Sequence, residues 1–128
     1  MIEYIQIERI TLQEFITRVV EECRAKSIRT GKDKGLSLRK QHWIYLINHK
    51  KLKCPVTGEK VSYCSYDKRN NGKEPVSFHY NFYSESGKMF TIDHKLPISK
   101  GGSKSSYKNI QVMIDTENFI KSDNLIYM

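Results

Sequence analysis

The apolar residues change period along the chain, and that change fixes the class of fold. Leu12, Phe15, Ile16, Val19, Val20 and Cys23 recur at helical spacing, which is one stripe of an amphipathic helix. Val76, Phe78, Tyr80 and Phe82 instead alternate with Ser77, His79, Asn81 and Tyr83, the period of a strand with one apolar face. Both periods occur within 128 residues, a length that supports one hydrophobic core and not two. The expectation is an α+β fold, with N-terminal helices packed on a small antiparallel sheet.

Local signals place the elements. Thr11-Leu12-Gln13-Glu14 reads as a capping box and predicts a helix over 12–27, with Cys23 on its apolar stripe as a core thiol. Ile5 and Ile7 suggest a short strand within 3–10. Ser37 is a candidate N-cap for a second helix over 38–50 that carries Leu38, Trp43, Ile44, Leu46 and Ile47. His42 and His49 on that helix are read as packing or surface residues. Cys54-Pro55-Val56-Thr57-Gly58 predicts a turn, 60–66 a strand, 68–75 a turn region, and 89–92 a further strand. His79 falls on the polar side of its strand and is expected to face solvent. No repeat or domain boundary interrupts the chain. The expected organisation is one domain over 1–128, with a helical part at 1–53, strands at 54–92 and a functional segment at 93–121.

Composition removes several classes of protein. The longest apolar run, Trp43 to Ile47, is far shorter than a bilayer span. An aromatic content of 11% is too high for a disordered chain. Nothing at Met1–Tyr4 has the character of a secretory leader, and three scattered cysteines form no disulfide framework, so a cytoplasmic, reducing compartment is expected. The net charge of +8 is uneven. Residues 1–22 hold Arg9 and Arg18 against Glu3, Glu8, Glu14, Glu21 and Glu22, so the basic excess lies entirely downstream. A body of that charge suits a polyanion, with nucleic acid ahead of a membrane surface.

The segment from Asp93 to Lys121 carries the chemistry. It contains Asp93-His94, Pro97, Gly101-Gly102, Asn109-Ile110-Gln111, Asn118 and Lys121. The pattern reads as a strand ending at Asp93-His94, a glycine-broken loop, a second strand opened by Asn109, and a helix capped at Asp115 or Thr116 that carries Asn118 in its first turn. Phosphodiester hydrolysis needs an activated water, a Lewis acid on the phosphate and relief of charge on the leaving oxygen. His94 is the natural base, because only histidine titrates near neutrality unperturbed. Asp93 and the Asn118 amide oxygen suit a hard divalent cation, Mg²⁺ or Mn²⁺. Neighbours on a regular strand face opposite ways, so Asp93 and His94 can share a site only where the strand ends or twists. Lys95, Lys100, Lys104 and Lys108 lie in or beside the glycine loop, and Lys121 one turn beyond Asn118. All five are expected to contact DNA phosphates.

This segment resembles the HNH nuclease family, the ββα-metal endonucleases, in a His-Asn-Asn variant formed by His94, Asn109 and Asn118. The resemblance implies a C-terminal ββα-metal motif over 93–121 in which the residue matching His94 activates water. It also implies that Asp93 and Asn118 hold the metal, and that Asn109 fixes the loop that aims the base. Upstream, a helix with a central Trp followed by Cys54-Pro55-Val56-Thr57-Gly58 resembles the entry to the zinc-ribbon form of the family. Of the four ribbon-cysteine positions only Cys54 holds cysteine; the other three fall at Thr57, Ile114 and Glu117. No structural zinc is therefore expected, with hydrophobic packing in its place. The expected activity is a metal-dependent DNA endonuclease of a phage or mobile element, acting in a bacterial or phage-infected cell without membrane association. RNA stays open as a substrate, because the site sees a phosphodiester and not a 2′-hydroxyl. The runner-up is a non-catalytic nucleic-acid-binding module on a degenerate HNH fold.

Overall fold

Eight residues at the N-terminus, Glu3–Ile10, form strand β1, so the stretch 1–53 gives the sheet a full edge strand as well as its helices. The structure is a computed structural model that describes residues 3–33, 35–70, 72 and 74–123. Among these residues it is α+β, with three α-helices and a five-stranded antiparallel sheet in the order of the sequence.

Helix α1 (Leu12–Thr30) starts where Thr11 Oγ1 accepts the Glu14 amide at 3.0 Å. Glu14 instead turns its carboxylate to Arg18, at 3.2 Å. The helix runs past residue 27 because no breaker intervenes before Gly31, which takes φ +68° and donates its amide to Ser27 O. Only its first half faces the core, through Phe15 and Val19. In the second half Ile28 is exposed, and Cys23, expected in the core, is only half-buried. Helix α2 (Leu38–Asn48) is capped by Ser37 and lays Trp43 flat on Phe82, with ring centroids 3.8 Å apart.

Strand β2 (Tyr63–Asn70) begins later than expected and continues through residues read as a turn. Its predicted first residues pair elsewhere: Lys60 bridges Lys53, and the Val61 amide donates to Leu52 O. Its later residues are held by β1, with Tyr4 opposite Arg69 and Glu3 opposite Asn70. Of the turn expected over 68–75, Asn71 and Lys73 lie outside the described residues.

Strand β3 (Phe78–Tyr83) departs from the one-faced strand that its alternation predicts. Tyr80 and Phe82 are buried on the helix side, yet Asn81 and Tyr83 are buried on the other. Asp67, fully buried on β2, draws them in: its Oδ2 accepts the Asn81 amide at 2.9 Å and the Tyr83 hydroxyl. His79, expected to face solvent, is half-buried against the edge of the Tyr4 ring.

Strand β4 (Met89–His94) pairs with β3 only through Phe82–Phe90 and Tyr83–Met89, then diverges. It stays paired with β5 (Ile110–Ile114) from Phe90 to His94. The divergence leaves the Tyr80 carbonyl without a strand partner on that side, and Arg39 donates to it at 2.9 Å. Helix α3 (Asp115–Asp123) folds back across β4 and β5. The core, with Phe15, Trp43, Leu46, Phe82, Phe90 and Val112, lies between the helices and one face of the sheet.

Candidate active site

Asp93 and His94 are the last two residues of β4, and the chain between them and β5 is shaped by glycine. Pro97 opens a single 3₁₀ turn over Ile98–Lys100, ended by Gly101 at φ +91°. At Gly102 a Cβ would stand 1.9 Å from the Leu96 carbonyl oxygen and 2.9 Å from Asn109 Nδ2, so no side chain fits. Asn109 locks the loop from the other end. Its Oδ1 accepts the Leu96 amide at 2.8 Å, while Nδ2 donates to Leu96 O at 3.0 Å and Ser103 O at 2.8 Å.

The locked loop presents the Lys104 carbonyl to His94, whose Nε2 lies 3.0 Å from it. A carbonyl oxygen only accepts, so Nε2 carries the hydrogen and Nδ1 of the neutral ring keeps its lone pair. A second histidine supports the same loop, since buried His42 reaches Ser105 O with Nε2 at 3.2 Å. The packing role expected for His42 is thus aimed at the loop. His49 is exposed.

Asp93 is 7% exposed. Its Oδ2 accepts Gln111 Nε2 at 2.9 Å and Lys121 Nζ at 2.6 Å. The same ammonium donates to His94 O at 3.0 Å. Asn118 donates Nδ2 to Thr91 Oγ1 at 2.9 Å, which leaves Oδ1 as the acceptor of its amide. Asp93, His94, Asn118 and Lys121 line one cavity of about 280 Å³ with Ile98 and Ser99. Asp93 and His94 both border this cavity, at the point where β4 ends. His94 also borders a larger cleft, about 1020 Å³, opened by the divergence of β3 and β4 and walled by Arg39, Phe90, Ile92 and Phe119.

Of the expected DNA-contacting lysines, Lys95, Lys100, Lys104 and Lys108 are exposed. Lys121 is not: its side chain is 14% exposed and engaged with Asp93. Sequence reasoning left out Gln111 and Thr91, which hold Asp93 and Asn118 in place, and gave Lys104 only a side-chain role. The available signal for Gln111 was its position two residues after Asn109, which sets it opposite Asp93 in the β4–β5 register.

Among the described residues, no group of three or more His, Cys, Asp or Glu side chains stands where it could hold a metal ion. The donor set suits a hard cation held by oxygen alone: the Asp93 carboxylate and the His94 carbonyl already cradle one cation, the Lys121 ammonium, with the Asn118 amide in the same cavity.

Cys54 and Cys64 are both fully buried in the core. Burial pushes the Cys64 thiol up to about 12. Burial also acts on Cys54, but hydrogen bonds from the Thr57 side chain and from the main chain at Ile114, Thr57 and Val56 outweigh it and hold its pKa below the ordinary thiol value. Residues 54, 57 and 114 are thus neighbours in space. No protein-family model, no curated protein and no solved structure matches this chain.

Proposed function

We propose that the chain is a metal-dependent endonuclease of the HNH kind that hydrolyses phosphodiester bonds in DNA, with β4, the glycine loop, β5 and α3 as its ββα-metal unit. The observation that carries the proposal is the hydrogen bond from His94 Nε2 to the Lys104 carbonyl. It fixes the tautomer and leaves Nδ1 as the proton acceptor of a residue that lines one cavity with Asp93, Asn118 and Lys121. The convergence of Cys54, Thr57 and Ile114, three of the positions at which the zinc-ribbon form has cysteine, supports the same reading.

In this mechanism His94 Nδ1 takes a proton from water as the water oxygen attacks phosphorus, and the P–O bond to the leaving sugar oxygen breaks. That oxygen leaves with the electron pair and is protonated from solvent. A Mg²⁺ or Mn²⁺ ion held by Asp93 and Asn118 would supply Lewis-acid stabilisation of the phosphate charge. Asn109 keeps the loop in place and so keeps the Lys104 carbonyl on His94. Lys95, Lys100, Lys104 and Lys108 bind the flanking phosphates. Structural zinc has no role in this reading: Cys54 and Cys64 pack in the core, and elemental analysis after dialysis checks it. The chain would act in the cytoplasm; no helix among the described residues is long and apolar enough to cross a membrane.

A nicking assay on supercoiled plasmid with Mg²⁺, Mn²⁺ or EDTA tests the activity, with a single-stranded RNA run in parallel. Cleavage of DNA that EDTA and His94→Ala both abolish supports the proposal. Tight DNA binding without cleavage under any metal would replace it with the non-catalytic binding module.

A further inference from the structure

We propose that Lys121 is an internal competitor for the divalent cation: its ammonium occupies the Asp93 cradle in the free protein, and a metal ion binds only by displacing it. The inference rests on the reading of Asp93 as a metal ligand and adds how loading of that site is controlled.

Three observations carry it. First, the ammonium makes two short contacts, 2.6 Å to Asp93 Oδ2 and 3.0 Å to His94 O. Both acceptors are oxygens of the kind a hard divalent ion takes. Second, the pair is sheltered, with side chains 14% and 8% exposed. Water screens little there, and an uncompensated carboxylate would be strongly disfavoured. Third, Gln111 Nε2 holds the same Oδ2 at 2.9 Å, so that oxygen already has two hydrogen-bond donors. A dication approaching it would face both a filled oxygen and a like charge.

The helix that brings the competitor also brings the second expected ligand. Asn118 and Lys121 are one turn apart on α3 and line the same cavity. Displacement therefore needs no rearrangement of the fold, only a swing of a four-carbon side chain into a cavity of about 280 Å³. The freed ammonium stays beside the site as a cation for a phosphate oxygen.

A ligand that binds only a minor state has its apparent affinity lowered by the fraction of molecules in that state. An ion pair closed in about 90% of molecules costs roughly tenfold. Mn²⁺ affinity, measured by electron paramagnetic resonance on the full chain without nucleic acid, should therefore rise about tenfold or more in Lys121→Met. It should be lost in Asp93→Asn. A Lys121→Met protein that binds Mn²⁺ with wild-type or weaker affinity overturns the proposal.

Lys121→Met leaves a buried carboxylate unpaired, so a second measurement uses the wild-type protein alone. During a Mg²⁺ titration followed by NMR, the Lys121 Cε and Nζ resonances should move from an ion-paired to a free shift as the metal saturates. Saturation with those resonances unmoved, or no Mg²⁺ binding at all, overturns the proposal. These readouts are independent of cleavage. Competition without plasmid nicking would leave the competitor and remove the nuclease, whereas nicking that EDTA abolishes, with the Lys121 resonances unmoved at metal saturation, would do the reverse.

Discussion

The side chain of Asn109 grips both main-chain polar groups of Leu96, accepting its amide at 2.8 Å and donating to its carbonyl at 3.0 Å. The same carbonyl stands where a Cβ on Gly102 would fall, 1.9 Å away. Leu96 is thus the point at which the loop is closed from two directions, two residues after His94. Asn109→Ala should remove three hydrogen bonds and lower stability by about 1–3 kcal/mol. Gly102→Ala should cost a similar amount through backbone displacement. Thermal melts check the stability. Nicking rates of both variants, measured well below their melting temperatures, should fall further than the small loss of structure accounts for, because the Lys104 carbonyl is carried off His94.

His94→Ala should reduce cleavage by about 10²- to 10⁴-fold, the usual contribution of a positioned base, and leave DNA affinity within a few-fold. In the wild-type protein, ¹⁵N NMR of the neutral ring should show Nε2 protonated and Nδ1 bare, since Nε2 faces the Lys104 carbonyl. A ring protonated at Nδ1 would place the base nitrogen on the wrong side of the imidazole.

Binding should depend steeply on salt. Lysines paired with phosphates release counterions, and six to ten such contacts cost roughly 10³- to 10⁵-fold in affinity between 50 and 200 mM salt. Lys104→Ala and Lys108→Ala, both exposed in the loop, should each weaken binding evenly across DNA sequences. Fluorescence anisotropy across that salt range is the check, and a flat profile would reduce these lysines to solubilising charges.

Stability should fall on mild acidification, and His79 should be part of the reason. Burial pushes its pKa below the ordinary 6.5, and the positive charges of Arg39 and Arg69 push the same way. The unfolded chain therefore binds the proton first. The stabilising contribution is complete above pH 6.5 and is lost as pH drops through the unfolded value toward the lower folded one. Urea midpoints should decline between about pH 7.5 and 5.5, and His79→Gln should decline less.

Local signals determined much of the molecule. Thr11 starts α1 through its contact with Glu14 N, and Gly31 stops it, because each acts within one turn of its own backbone. The strand at 89–92 and the order Asp93-His94, glycines, Asn109, Asn118 were equally legible, since strand, loop, strand and helix follow from residues adjacent in sequence, whereas the strand read over 76–83 begins only at Phe78. Packing decided the rest. No period in the chain announces that Asp67 buries Asn81 and Tyr83 on the second face of β3, because that needs two strands in register. Sequence put Lys121 beside the site, but only the folding of α3 across β4 seated its ammonium on a carboxylate 28 residues away. Cys23 shows the converse: its place on the apolar stripe was plain, but it is only half-buried, because a stripe buries only what another layer covers.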